Sequence, residues 1–139
     1  MRNYKNYKVW QDAMDLSKYV YLLCSTFPLE ELYGLKNQLQ RAAISIPSNI
    51  AEGTSRSTDK AFSNFLEISL GSIYEVETQI ELAYHFNYIT KEDLDTFNNK
   101  IEILRRELIS LGINPNVKIH NMKIFSDTNS QVALLNSTA

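Results

Sequence analysis

Apolar side chains recur every three or four residues along most of the chain, the spacing that places them on one side of an α-helix. The first such stretch runs from Val9 to the Phe27-Pro28 pair, where the proline stops the helix. A second row lies beside it, formed by Trp10, Met14, Ser17, Tyr21 and Cys24. The first predicted helix therefore carries an apolar face wider than a single partner helix requires.

The second stretch, from Leu32 to Gly53, contains a proline. Pro47 has no N–H to bond the carbonyl of Ala43, so we expect a helix that is kinked at Pro47 and continues beyond it. A helix boundary at this proline is the alternative, because the residue before a proline disfavours helical geometry. Gly53 is suited to end the helix as a C-terminal glycine.

Two further stretches begin at recognisable cap residues. Thr58 or Asp59 can accept hydrogen bonds from the free N–H groups of a third helix, whose apolar spacing lasts about 25 residues. Thr90, with Asp93 three residues later, forms a capping-box pattern that starts a fourth helix. Gly112 ends that helix.

Four amphipathic helices with short connections predict an all-α fold, an up-down-up-down antiparallel four-helix bundle. Only four Gly and three Pro occur, too few for the turns of an all-β sandwich. At 139 residues the chain suits one domain. We expect the bundle to span residues 1–115 and residues 116–139, where the apolar period is lost, to form a flexible tail that could dock on a partner.

The residues needed for several kinds of chemistry are missing. Cys24 is the only cysteine and fits a core or interface thiol. Neither His85 nor His120 follows a glutamate by three residues, so the ferritin-like metal pattern is absent. No phosphate-binding glycine loop occurs. We therefore expect no enzymatic activity, no metal and no cofactor.

The chain also lacks the signals of a membrane or secreted protein. No apolar run approaches the roughly 18 residues of a membrane span, and polar residues after Met1 replace a signal core. We expect a cytoplasmic protein with no membrane partner.

Positive charge is concentrated in the first half. Residues 1–60 hold eight Lys or Arg against six Asp or Glu, and residues 61–111 hold four against nine, within a net charge of −2. The candidate nucleic-acid contacts are Arg2, Lys5, Lys8, Arg56 and Lys60. Tyr4 and Tyr7 lie among them as possible stacking surfaces. Scattered solubility charges are the alternative interpretation.

A second, polar stripe accompanies the apolar seams of the second and third helices. It comprises Gln38, Arg41, Ser45, Asn49 and Glu52 in the second helix and Glu67, Gly71, Ser72, Glu75 and Gln79 in the third. The stripe is either an ordinary solvated face or a polar network involving Arg41 and Glu75, within the bundle or between subunits. Gly71 costs up to about 1 kcal/mol in a helix, for which a closely approaching helix would compensate.

Two segments of the first half carry a family resemblance. They read Phe27-Pro28-Leu29-Glu30-Glu31-Leu32-Tyr33-Gly34-Leu35 and Gln38-Leu39-Gln40-Arg41-Ala42-Ala43-Ile44-Ser45-Ile46-Pro47-Ser48-Asn49-Ile50-Ala51-Glu52-Gly53. They resemble the signature of the bacterial four-helix bundle proteins, also called the 23S rRNA intervening-sequence protein family. The likeness covers about residues 5–111. It includes Arg56, Phe62, Phe65, Leu66, residues 69–72, Glu75 and Gln79.

The resemblance implies a four-helix bundle, often a ring-shaped homopentamer, with no established enzymatic activity. A related accessory protein of diversity-generating retroelements binds nucleic acid through basic surface residues. Gln40 departs from the pattern, since many relatives have an arginine before the residue that matches Arg41. We therefore expect a non-enzymatic homo-oligomer, a pentamer by resemblance, that binds RNA or DNA, structured RNA above all. A protein-binding scaffold with no nucleic-acid role is the alternative.

Overall fold

The protein is described here by a computed structural model covering residues 3–112, which are helical apart from short connections. The helices are α1 (Lys8–Cys24), α2 (Leu35–Thr54), α3 (Asp59–His85) and α4 (Lys91–Ser110). Short 3-10 helices at Tyr4–Asn6 and Leu29–Glu31 precede α1 and α2. The predicted all-α fold with four helices is confirmed. Arg2, the boundary expected at residue 115 and the tail at 116–139 lie outside the described residues.

Each helix packs against the helix before and the helix after it, and α1 closes the bundle against α4. Lys8, at the start of α1, forms a salt bridge with Glu107 near the end of α4. Tyr19, towards the end of α1, donates from its hydroxyl to the carbonyl of Asp93 at the start of α4. These two contacts show that α1 and α4 are antiparallel, as the up-down-up-down arrangement requires.

The core is built from the apolar positions that the spacing predicts. Every helix supplies side chains that are fully buried, including Leu16, Val20, Leu39, Ile46, Leu66, Ile73, Phe97 and Leu104. Cys24 belongs to this core as well. One continuous apolar interior therefore holds the four helices in fixed positions and sets which side chains face outwards.

The second helix runs through Pro47 without a break, as predicted. The proline leaves the carbonyl of Ala43 without its helical donor. The Ser17 hydroxyl of α1 lies 3.1 Å from that carbonyl oxygen and 2.9 Å from the carbonyl oxygen of Ala13 in its own helix. The single hydroxyl hydrogen of Ser17 is shared between these two acceptors, so a neighbouring helix partly replaces the hydrogen bond that the proline removes.

The predicted start of the second helix is wrong by three residues. The chain first forms the 3-10 turn at Leu29–Glu31, and α2 begins at Leu35 after Gly34. The Glu31 carboxylate accepts a hydrogen bond from the Leu35 N–H at 2.8 Å, which satisfies one donor at the helix start. The first predicted helix also ends earlier than expected, at Cys24.

Gly53 has a different role from the predicted helix terminator. It lies inside α2, is buried, and has no positive φ. A Cβ atom at this position would lie 2.8 Å from the Phe65 Cβ and 3.0 Å from the Phe62 Cδ2 in α3. The missing side chain therefore allows α2 and α3 to approach closely. At Gly71 the expected close approach is absent, because the space around its Cβ position is open among the described residues.

The starts of α3 and α4 agree with the cap predictions. The Thr58 side chain accepts a hydrogen bond from the Ala61 N–H at 3.1 Å. Thr90 and Asp93 form both hydrogen bonds of a capping box. Gly112, with φ of 130°, follows α4 in a conformation that favours glycine.

Candidate nucleic-acid interface and surface grooves

Four of the five predicted cations lie in the described chain, and all four are at one end of the bundle. Lys5 and Lys8 lie just before and at the start of α1. Because neighbouring helices are antiparallel, Arg56 in the α2–α3 connection and Lys60 in the first turn of α3 lie at that same end. The 3-10 helix that carries Lys5 contacts α2 directly. We call this region the basic end.

Two carboxylates already engage Lys8. Its Nζ atom lies 2.6 Å from Asp12 Oδ2 and 2.8 Å from Glu107 Oε1. These hydrogen bonds raise the pKa of Lys8 above its ordinary value, and the bond to Asp12 has the larger effect. Because its charge is compensated within the bundle, Lys8 is a weaker candidate for phosphate binding than the sequence suggested.

Arg56 is held in place by two contacts. Its guanidinium lies over the Phe65 ring, 4.6 Å from the centroid, and pairs with Glu52 at 3.0 Å. Lys5 and Lys60 are exposed, and neither forms a salt bridge with another residue of the range 3–112. The basic end therefore combines one oriented guanidinium with two ammonium groups that no carboxylate of this range compensates.

Much of the predicted polar stripe lines a groove of about 510 Å³ between α2 and α3. Its lining includes Gln38, Arg41, Ser45, Ser72, Glu75 and Gln79. Arg41 and Glu75 are exposed, and no salt bridge joins them to each other or to any residue within 3–112. Asn49 and Glu52 are not part of this lining. We call this surface the polar groove.

A polar network does cross the α2–α3 contact, built from smaller side chains than Arg41 and Glu75. The hydroxyls of Ser45 and Ser72 lie 2.8 Å apart. The Asn49 amide donates to the Ser45 hydroxyl at 2.9 Å and to the Ser45 carbonyl at 2.8 Å. This network lies against the bundle, and it leaves Arg41 and Glu75 turned towards the groove.

Gln79 adds an unsatisfied group to the polar groove. Its side-chain oxygen is buried and has no hydrogen-bond donor within residues 3–112. A buried acceptor without a donor costs free energy, of order 1–3 kcal/mol. The polar groove thus offers a cation, a carboxylate and an unmet acceptor to another molecule.

A second groove, of about 670 Å³, lies between α1 and α2 and is mostly apolar. Four members of the second apolar row of α1 line it, namely Trp10, Met14, Ser17 and Tyr21. Tyr4 contributes from the first 3-10 helix, and Ile44 and Pro47 contribute from α2. The wide apolar face predicted for the first helix is therefore present. The other helices bury Cys24 from its outer row and leave Trp10, Met14, Ser17 and Tyr21 at least partly uncovered. We call this surface the aromatic groove.

Sequence reasoning missed several residues of these surfaces. Ile44 lies outside the predicted apolar seam of α2, and its side chain is 45% exposed and lines the aromatic groove. Its apolar character at a position outside the main seam was the sequence signal that could have indicated this surface. Lys18 also lines this groove, and Phe65 orients Arg56. Those two roles depend on how neighbouring helices are rotated, which a single-helix pattern leaves undefined.

The remaining candidate chemistry is limited. Cys24 is fully buried, and burial raises the pKa of its thiol to about 11, which disfavours the reactive thiolate. Among residues 3–112, no three His, Cys, Asp or Glu side chains are grouped so that they could hold a metal ion. None of the helices in this range combines the length and apolar character needed to cross a bilayer.

Comparison with known proteins found a family and solved structures that are similar to this chain. The model of a family described as 23S rRNA-intervening sequence protein matches residues 5–110. A crystal structure at 1.70 Å resolution of a protein with unknown function from Bacteroides thetaiotaomicron, assigned to the S23 ribosomal protein family, is similar with a TM-score of 0.69. The two sequences are 26% identical, and the match covers 74% of this chain and 96% of the other. A comparison with curated proteins found no match.

Proposed function

Because the chain belongs to the 23S rRNA-intervening sequence protein family, we propose that it is a non-enzymatic homo-oligomer that binds nucleic acid, structured RNA in particular, through the basic end. The observation that carries this proposal is the meeting of Lys5, Arg56 and Lys60 at one end of the bundle. The family description, which names 23S rRNA, is in keeping with an RNA ligand.

Binding of this kind acts on the phosphate backbone. Ammonium and guanidinium groups displace counterions from nucleic acid, so affinity falls steeply with added salt. One subunit offers few cations, and the net charge of the chain is −2. Several copies that present their basic ends together would raise the affinity by avidity. The proposal therefore needs an oligomer, and the resemblance suggests five copies.

The polar groove supports assembly, because it leaves polar side chains without partners in the described part of the chain. The polar groove leaves Arg41, Glu75 and the Gln79 oxygen without partners among residues 3–112. A ring of identical subunits needs two different contact surfaces on each copy. The polar groove would supply one of these two surfaces.

The proposal is tested by reversing charges at the two ends of the bundle. The double variant Lys5→Glu/Lys60→Glu changes the basic end, and Lys36→Glu/Lys91→Glu changes the opposite end by the same net charge. We expect filter retention of structured RNA at low salt to be lost in the first variant and kept in the second. Solution mass should be unchanged in both. Equal losses would mean that net charge alone decides binding, and no loss in either would mean that the basic end is the wrong surface.

A protein-binding scaffold is the second candidate. It is favoured by the Gln79 oxygen, Arg41 and Glu75, which have no polar partner among residues 3–112. The two functions differ in their response to salt. Nucleic-acid binding predicts retention at low salt that disappears at moderate salt. A scaffold predicts no retention of RNA or DNA at any salt concentration.

A further inference from the structure

Three aromatic rings line the aromatic groove, and two of them are in contact. Tyr4 contacts Trp10 edge to face, with ring centroids 5.2 Å apart and an interplanar angle of 70°. Tyr21 lies about three helical turns farther along α1, or about 16 Å from Trp10 along the helix axis. Its side chain is 43% exposed. The groove therefore presents aromatic surface along much of α1, and the other helices of the bundle leave it open.

The aromatic groove is continuous with the basic end. Tyr4 at one end of the groove is adjacent in sequence to Lys5, and the α2 wall extends to Ala51, just over one turn before Arg56. Lys18 is the one charged side chain among the described residues that line the groove. A polyanion held at the basic end would thus meet Tyr4 and Trp10 first, and then Lys18 and Tyr21 farther along α1.

We propose that the aromatic groove takes up unpaired bases of a single-stranded segment of nucleic acid. This inference rests on the proposed function, since it names the form of nucleic acid that the same surface prefers. Bases are flat and largely apolar, and they stack on tyrosine and tryptophan rings while lysines contact the phosphates outside. Few polar groups line the groove, so it accepts different bases without reading their hydrogen-bonding edges.

A continuous duplex behaves differently at this surface. Its bases are already stacked on one another and paired, and freeing one costs a few kcal/mol. A duplex therefore reaches the basic end with its phosphates and leaves the aromatic groove empty. Structured RNA with a loop or an unpaired end satisfies both surfaces together.

The chain carries its own reporter, because Trp10 is its only tryptophan and lies in the groove. The full chain is titrated at low salt with single-stranded oligouridylate and with an RNA duplex of the same length, while Trp10 emission and retention are followed together. We expect the single strand to change the emission in step with binding. The duplex should be retained with little change in emission.

Two tyrosine variants provide a matched pair. Tyr21→Leu keeps an apolar side chain in the groove and removes the ring. Tyr33→Leu removes a ring that is 88% exposed and lines the polar groove instead. We expect Tyr21→Leu to weaken binding of the single strand by roughly 5- to 100-fold and to leave duplex binding unchanged. Tyr33→Leu should affect neither ligand, and circular dichroism should show that both variants fold.

The outcomes separate this inference from the proposed function. Saturating binding of the single strand with constant Trp10 emission overturns the inference and leaves the proposed function standing, as does an equal effect of the two tyrosine variants. Absence of any retention at low salt overturns both. Trp10 emission that changes when the protein alone is diluted would show that a second copy covers the groove, which also overturns the inference.

Discussion

The hydroxyl of Ser17 in α1 lies 3.1 Å from the carbonyl oxygen of Ala43 in α2, the carbonyl that Pro47 leaves without a helical donor. The proline and the serine belong to different helices, and the serine donor lies beside the acceptor that the proline leaves free. This contact links the continuity of α2 to its packing against α1.

We predict that Ser17→Ala lowers the free energy of unfolding by about 1 kcal/mol, because the Ala43 carbonyl loses its donor in a part-buried position. In a Pro47→Ala background, residue 47 regains an N–H that can bond the same carbonyl, so the cost of Ser17→Ala should shrink. Urea unfolding of the wild type, both single variants and the double variant measures this coupling. Additive effects of the two substitutions would contradict the link.

Two glycines give opposite predictions for the same substitution. Gly53→Ala should destabilise the protein by about 1–3 kcal/mol, because the added Cβ would lie 2.8 Å from Phe65 Cβ. Gly71→Ala should stabilise it by up to about 1 kcal/mol, because alanine favours the helix and the space is open among the described residues. Thermal melting measures both. A destabilising Gly71→Ala, or one that reduces the solution mass, would show that another chain packs closely on this face.

The contact of α1 with α4 predicts a pH effect. Burial and a hydrogen bond with Asp12 raise the pKa of Glu107 above its ordinary value, against the opposing effect of Lys8. Burial alone would raise the pKa of Asp12 too, but its hydrogen bonds with Glu107 and Lys8 outweigh burial and lower it. The two carboxyls therefore titrate as a pair, with the proton held on Glu107.

A carboxyl whose folded pKa is raised opposes folding above its titration range, and this penalty disappears as the pH falls through that range. We therefore predict that Glu107→Gln is more stable than the wild type at pH 7 and that the difference closes in acid. Melting temperatures recorded against pH measure this. Glu102→Gln, which removes a partly exposed carboxylate that pairs with Arg106 on the same helix, is the control and should show no such convergence. A difference that widens as the pH falls would contradict the assignment.

Cys24 should resist alkylation in the folded protein. Its side chain is fully buried, and its thiol pKa of about 11 keeps it protonated at pH 8. Iodoacetamide treatment followed by mass measurement should show modification only after denaturant is added. Rapid modification of the native protein would mean that the end of α1 opens readily.

The helices could be predicted because each depends on local signals. The apolar period, the Thr58 cap and the Thr90–Asp93 capping box act within a few residues of one another. Gly53 illustrates what local signals miss, since its role depends on a phenylalanine of another helix.

The candidate surfaces could be predicted only in part, because they too depend on contacts between helices. The stripe on α2 was visible in the sequence, but the choice of Ser45 rather than Arg41 as the residue bonded to α3 depends on the rotation of two helices about their axes. The engagement of Lys8 by Glu107, 99 residues away in sequence, was equally invisible to a reading of spacing.

Lys5 precedes the α1–α2 hairpin in sequence and Lys60 follows it, and folding of the hairpin brings them to the same end of the bundle. A polyanion bound to both lysines would link the residues before α1 to the start of α3. Separating these helices would then require the polyanion to dissociate. The melting temperature would then rise with polyanion concentration, which makes thermal denaturation itself a binding assay.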